Sequence, residues 1–240
     1  MTRIGIFSAM LRQCGIGLLL AICPLAYAAY SCTVTATDAS VLANALSAET
    51  TTGSVTLTCT RSAGDAPTLS YRLKATTGLY NTGSQPYRRV RRGGAGTPME
   101  YSLRRGSTCG ATSDWLAPAT GTTDVQTGTM NFGTALVAST TLAYCIRVPA
   151  TSVSSGVYTD TFLVFAQYPD SDMGNLSPQA PATVTVGVGD ECLFNTYPGN
   201  LVFNYTAFST TAQTASTGFV LRCNSGLPWE AFRSGSRLLS

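Results

Sequence analysis

The chain has 240 residues, 44% of them hydrophobic and 11% charged, with a formal net charge of +3. That length holds one large domain or two small ones, and few charges beside many Ser, Thr, Gly and Ala residues lean toward an extracellular β protein. Two of the basic residues, Arg3 and Arg12, fall in the leader described next, so the rest carries about +1, too little for whole-surface binding to nucleic acid or an anionic membrane.

Residues 1–28 have the anatomy of a secretory signal. Arg3 and Arg12 form a positive region, Ile16 to Ile22 an apolar core, and Ala26-Tyr27-Ala28 a small-x-small cleavage site. The apolar stretch is too short for a spanning helix, which needs about 20 residues. Lipidation at Cys23 is a poorer reading, because Ile22 is bulky where a small residue is wanted. No later segment is apolar enough to span a membrane, so no integral membrane segment is expected after cleavage. Of eight cysteines, Cys14 and Cys23 leave with the leader, and Cys32, Cys59, Cys109, Cys145, Cys192 and Cys223 remain. An even number in an exported chain reads as disulfides. With no histidine and no Cys-x-x-Cys pair, the usual zinc sites are not expected, and neither is any cofactor.

The mature sequence then alternates with period two in short pieces. Val41 to Ala48 has room for one or two helical turns. Val55, Leu57 and Cys59 share one face; so do Leu69, Tyr71 and Leu73; Met99, Tyr101 and Leu103; Leu142, Tyr144, Ile146 and Val148; and Val184, Val186 and Val188. Successive strand side chains face opposite ways, so these runs are half-buried strands. Thr161 to Phe165 is apolar on both faces and reads as a central strand. Clusters such as Asn81-Thr82-Gly83-Ser84 and Arg92-Gly93-Gly94-Ala95-Gly96 separate the pieces. Short strands punctuated this way predict an all-β sandwich.

An internal repeat is present. One copy opens at Cys32 and reaches Thr52-Gly53-Ser54-Val55-Thr56-Leu57-Thr58-Cys59; the other opens at Cys192 and reaches Thr217-Gly218-Phe219-Val220-Leu221-Arg222-Cys223. In each, a Thr-Gly turn feeds a strand ending in Cys, and Val55, Leu57 and Cys59 match Phe219, Leu221 and Cys223 in parity. This pairs Cys32 with Cys59 and Cys192 with Cys223, and leaves Cys109 with Cys145. Each shorter bridge contributes about 3–4 kcal/mol in the loop-closure picture. The boundaries that follow are 29–189 for a first unit and 190–240 for a partial second one. Phe232 to Ser240 shows neither alternation nor a closing motif, so the second unit reads as cut short. A short appendage packed on the first unit is the other reading.

Taken in order, the Thr52–Cys59 strand, Tyr71-Arg72-Leu73, Met99-Glu100-Tyr101-Ser102-Leu103 and above all Ser155-Gly156-Val157-Tyr158-Thr159-Asp160-Thr161 resemble the spore coat protein U domain family. That family includes subunits of archaic chaperone–usher pili. The resemblance covers residues 30–170, with a partial second copy at 190–229. It implies an immunoglobulin-like sandwich with disulfides that lacks its last strand. A periplasmic pilus chaperone lends that strand, an outer-membrane usher assembles the fibre, and a neighbouring pilus subunit replaces the strand. An open edge left unfilled would aggregate. Two features depart from a simple pilin. Ala182 to Val188, after a linker from Pro169 to Pro181, is a candidate strand to complete the first unit from within. Almost no donor segment lies between Ala29 and Cys32. Both suit a two-domain tip subunit.

Arg88, Arg89, Arg91 and Arg92, with Arg104 and Arg105 nearby, are the dense charge feature. Guanidinium groups grip carboxylate and phosphate bidentately, which makes the run a candidate surface-binding patch; a solvated hairpin loop is the plainer reading. Leu79-Tyr80, Trp115-Leu116 and Leu136-Val137 are candidate exposed apolar loops, each more simply core or turn. Asp170, Asp172, Asp190 and Glu191 match no calcium loop, and the sequons at Asn175 and Asn204 read as chance in a bacterial protein. Without histidine there is no Ser-His or Cys-His nucleophile; a two-carboxylate hydrolase has nothing specific in its favour. The expectation is a non-enzymatic structural and adhesive subunit of a surface pilus or coat. The rival is a monomeric secreted binding module for glycans or surfaces.

Overall fold

A computed structural model describes residues 30–80, 88–110, 114–115, 126–168, 178–204 and 206–224. The leader, the Asn81–Ser84 cluster, Leu116, Asp170, Asp172, the sequon at Asn175, most of the linker and the final residues from 225 lie outside them. Among the described residues there are twelve strands and no α-helix. They are β1 (Ser31–Ala36), β2 (Ala39–Ala43), β3 (Glu49–Thr60), β4 (Thr68–Ala75), β5 (Arg88–Arg92), β6 (Ala95–Arg105), β7 (Gln126–Asn131), β8 (Val137–Val148), β9 (Gly156–Gln167), β10 (Gln179–Val188), β11 (Cys192–Thr196) and β12 (Val220–Cys223).

Ten strands form one curled sheet in the order β1-β3-β8-β6-β5-β9-β10-β2, with β4 joining β7 to β9. The curl is produced by β6, which changes partner along its length. Tyr101, Glu100, Met99 and Ala95 pair with β5, whereas Ser102 to Arg105 pair with β8. The sheet thus folds into two layers that share one core, as in a sandwich whose strands switch sheets at a bend. The fold is an all-β sandwich.

The alternation fixes which residues enter that core. Val55, Leu57 and Cys59 of β3, Tyr144, Ile146 and Val148 of β8, and Phe162, Val164 and Ala166 of β9 are all buried in it. β9 is central, with β4 and β5 along one edge and β10 along the other. This explains its second apolar face, on which Leu163 and Phe165 are half-buried.

Val41 to Ala48 is not helical. Ala39–Ala43 is β2, held parallel to β10, and the Asn44 side-chain oxygen then accepts from the amides of Leu46 and Ser47 at 2.7 and 3.2 Å. An Asx turn of this kind competes with helix at its own backbone donors. The arginine run is not a loop either: it is β5, and Gly93-Gly94 alone turn the hairpin into β6.

The last two strands form a separate two-stranded sheet. In it Cys192 lies opposite Cys223 and Phe194 opposite Leu221. Disulfides join Cys32 to Cys59 and Cys192 to Cys223, the pairings read from the repeat, and Cys109 to Cys145, the pair left over.

Candidate functional site

Three places carry features beyond ordinary packing: the edge filled by β10, the buried polar cluster beneath β9, and the exposed face of β11 and β12. At the first, β10 runs antiparallel to β9 over ten residue pairs, from Gln179↔Phe165 to Val188↔Gly156. Its other edge runs parallel to β2, from Val184↔Ala39 to Val188↔Ala43. Ala180, Ala182, Val184, Val186 and Val188 point into the core and are buried. Each valine contributes about 1.5 kcal/mol or more by burial. Ala182 to Val188, expected as a strand, thus lies within β10 and fills one edge of β9.

The second place explains the Gly-x-Tyr-x-Asp-Thr strand residue by residue. Strand parity puts Tyr158, Asp160 and Phe162 on the inner face. The Asp160 carboxylate accepts the Tyr101 hydroxyl at 2.7 Å and the Leu79 amide at 2.8 Å. Gly78 passes so close that any Cβ there would strike this carboxylate, and its φ of +86° suits glycine. Arg88 lies 2% exposed beside the same cluster. Its Nε donates to the Thr76 carbonyl and its Nη1 to the Trp115 carbonyl, both at 2.8 Å, while its guanidinium faces the Phe162 ring at 5.9 Å. Burial pushes the Asp160 carboxyl above the usual carboxylate range, against the opposing pull of its hydrogen bonds and of Arg88. Burial also holds the Tyr101 phenol well above its ordinary value and lowers the Arg88 guanidinium. Such a cluster ties β5, β6, β9 and the chain after β4 together through polar bonds that only one register satisfies.

This placement corrects two expectations. Arg88 and Trp115 were candidates for surface binding, but Trp115 is 0% exposed and Arg88 is built into the core. The physical reason for Arg88 is parity: it shares the inward face of β5 with Val90, and three backbone carbonyls and a carboxylate await it. The same parity rule applied to Asp160 would have placed that carboxylate in the core from sequence. The remaining arginines diverge. Arg89 sits opposite Glu100 and pairs with it at 3.5 Å, and Arg91 stacks over Tyr80 at 5.5 Å. Arg92 lies across Gly156, where a Cβ would come within 2.6 Å of its Nε. Arg104 pairs with Asp114 at 3.0 Å. Among the apolar candidates Leu79, Leu136 and Val137 are exposed. Among the described residues no group of three His, Cys, Asp or Glu side chains could hold a metal ion, and no helix is long and apolar enough to cross a membrane.

The third place is the outer face of β11 and β12. Phe194 stacks on Tyr197 with ring centroids 5.2 Å apart and meets Phe219 edge-on at 5.8 Å. All three rings are exposed, as are Leu221, Phe203 and Phe208. Phe194, Tyr197 and Phe219 touch one another and form an exposed apolar patch.

Comparison with known proteins gives the following likenesses. The chain is similar to CsuE, the tip adhesion subunit of archaic chaperone–usher Csu pili of Acinetobacter baumannii, solved with its chaperone CsuC. Identity is 13% and the TM-score 0.36, over 71% of this chain and 64% of that one. It is similar to CfaE, the adhesive subunit of CFA/I fimbria of enterotoxigenic Escherichia coli, at 11% identity and a TM-score of 0.33, over 63% and 45%. It is also similar to the CssB subunit of enterotoxigenic Escherichia coli colonization factor CS6, complemented with a donor strand from CssA. There the figures are 14% and 0.36, over 65% and 97%. The chain thus spans less than two thirds of the length of CfaE and CsuE. No curated protein sequence matches it. The model of the Spore Coat Protein U domain matches residues 19–165, more than half of the sequence, and the chain belongs to the spore coat protein U domain family.

Proposed function

We propose that this protein is an exported structural and adhesive subunit of a surface pilus or coat. In this reading it is handled by a periplasmic chaperone and an outer-membrane usher and joined to neighbouring subunits by donor-strand complementation. The carrying observation is the contrast between β10 and the second copy. The family match stops at residue 165, inside β9, so the strand that fills the far edge of β9 comes from beyond the matched domain. A first unit closed by its own strand has no vacant groove there for a donor. The second copy offers an exposed apolar strand pair instead, the surface that strand addition requires. This suits a subunit whose first unit faces outward and whose second copy joins the fibre. The reading assigns no catalytic chemistry.

The test is periplasmic co-expression of the full chain with an archaic-type pilus chaperone from the same genome. A one-to-one complex that survives gel filtration is expected, and the double substitution Phe194→Asp with Leu221→Asp should abolish it. If no complex forms, or if the double variant binds equally well, the pilus reading falls and a monomeric secreted binding module replaces it.

A further inference from the structure

The four arginines of β5 have different fates, and the difference leaves Arg92 facing a cavity. Arg88 is spent in the core, Arg89 on Glu100 and Arg91 on Tyr80. Among the described residues the Arg92 guanidinium meets no carboxylate; it rests across Gly156 at the wall of a cavity of about 670 Å³. Gly156 has a φ of +142° and lacks the side chain that would displace the arginine. The remaining lining mixes hydroxyls, from Thr97, Ser152, Ser154 and Tyr158, with small apolar residues such as Ala95 and Val153. Tyr158 forms a buried floor, its hydroxyl donating to the Ser154 carbonyl at 2.7 Å.

A second cavity, of about 240 Å³, is lined by Glu100, Ser102, Arg147 and Pro149. Both cavities have β6 on one side and the connection from β8 to β9 on the other. They open where β6 leaves β5 for β8. Ala95 to Ser102 spans roughly 23 Å at about 3.3 Å per residue. Each cavity therefore holds one arginine along a shared flank, and the single acid there, Glu100, is already engaged by Arg89. Cationic forks set among hydroxyls match an anionic, hydroxylated ligand with some apolar ring surface better than a purely apolar peptide.

We propose that this flank of the first sheet binds a carboxylated oligosaccharide, a uronate chain, with one carboxylate forked on Arg92 and sugar hydroxyls on Thr97 and Ser152. The site supplies a ligand class for the adhesive half of the proposed function and rests on that reading only for its biological use. Titration reports on the site alone and chaperone capture on assembly alone, so either can fail without the other.

The experiment is calorimetric titration of the full chain, without chaperone, with trigalacturonic acid. The fully methyl-esterified trimer and inorganic phosphate serve as comparison probes. Saturable binding of the acid is expected. It should weaken at least about tenfold in Arg92→Gln, a loss of roughly 1.4 kcal/mol, weaken partly in Arg92→Lys, and stay unchanged in Arg222→Gln, which alters an exposed arginine on β12. The Lys variant keeps the charge and loses the fork, so it carries the test if the Gln variant fails to fold. The proposal is overturned by absence of binding up to about 20 mM, by equal binding of the ester, or by full binding in both Arg92 variants. Phosphate competing at equal concentration would also overturn it, by making the site a general phosphate site.

Discussion

The two Cys-bounded strand pairs are built alike and end differently. In the first, Cys32 lies opposite Cys59 and Val34 opposite Leu57. In the second, Cys192 lies opposite Cys223 and Phe194 opposite Leu221. The loops closed span 27 and 31 residues, so loop-closure entropy is nearly equal, about 3.5 kcal/mol each. Yet Leu57 is 0% exposed and Leu221 is 40% exposed. The first pair lies against β8 and β10 and shares their core; among the described residues the second pair forms a sheet of two strands. Local sequence and a crosslink make the hairpin-like unit, but an opposing layer is what buries it, since two strands alone have no second face to pack against.

The comparison breaks most directly at its matched leucines. Leu57→Asp places a carboxylate between the layers and should cost more than about 4 kcal/mol. Leu221→Asp should stay within about 0.5 kcal/mol. Urea denaturation followed by near-ultraviolet circular dichroism reads both. A large loss from Leu221→Asp would mean that the second pair is packed after all.

Next in size are the crosslinks. Replacing Cys32 and Cys59 by Ala should lower the stability of the main transition by about 3.5 kcal/mol. Replacing Cys192 and Cys223 should leave that transition in place despite the similar loop. Equal shifts would show the two regions unfolding as one cooperative unit.

The two Thr-Gly pairs sharpen the contrast further, and the first is no turn: Thr52 and Gly53 lie inside β3, paired with β8. Gly53 lies opposite Tyr144 in the β3–β8 register, and a Cβ there would overlap the tyrosine ring. Gly218 has open space around it. Gly53→Ala should therefore destabilise by about 1–3 kcal/mol, and Gly218→Ala should be neutral or slightly stabilising, by up to about 1 kcal/mol. Thermal melts of the two variants side by side decide it.

The smallest expected effect is a pH slope confined to the first unit. Burial raises the Asp160 carboxyl in the folded state, so folding favours its protonated form. That contribution is fully present below the ordinary carboxylate value of about 4 and is lost as the pH rises through the folded value. Wild type and Asp160→Asn should thus differ in slope, the variant losing this acid-side gain in stability. Denaturation midpoints between about pH 4 and 7 measure the difference, and identical slopes would refute it.

Much of the fold was legible because a strand's period of two writes itself into sequence. β3, β4, β6, β8, β9 and β10 each carry an alternating or doubly apolar run, and the Cys parity of the repeat paired two of the disulfides and left the third. β2 was not legible, because Val41 to Ala48 has no period that distinguishes a short strand from a helical turn, and its pairing partner lies at β10, more than 140 residues away. The candidate site was legible only as residue types. Six arginines in two short runs announced charge, and a Gly-x-Tyr-x-Asp-Thr motif announced a family.

What the sequence determined alone is the class: strands by alternation, crosslinks by the spacing and parity of the cysteines, and the family by its ordered motifs. Tertiary structure decided the fate of each polar group. Arg88 and Arg92 are chemically identical and four residues apart on one strand, but β5 ends between the layers at one and at the sheet's rim at the other. Whether a guanidinium becomes a buried strut or an open ligand depends on which strands lie across from it, and strand partners brought from distant parts of the chain are set by the packing of the whole sheet.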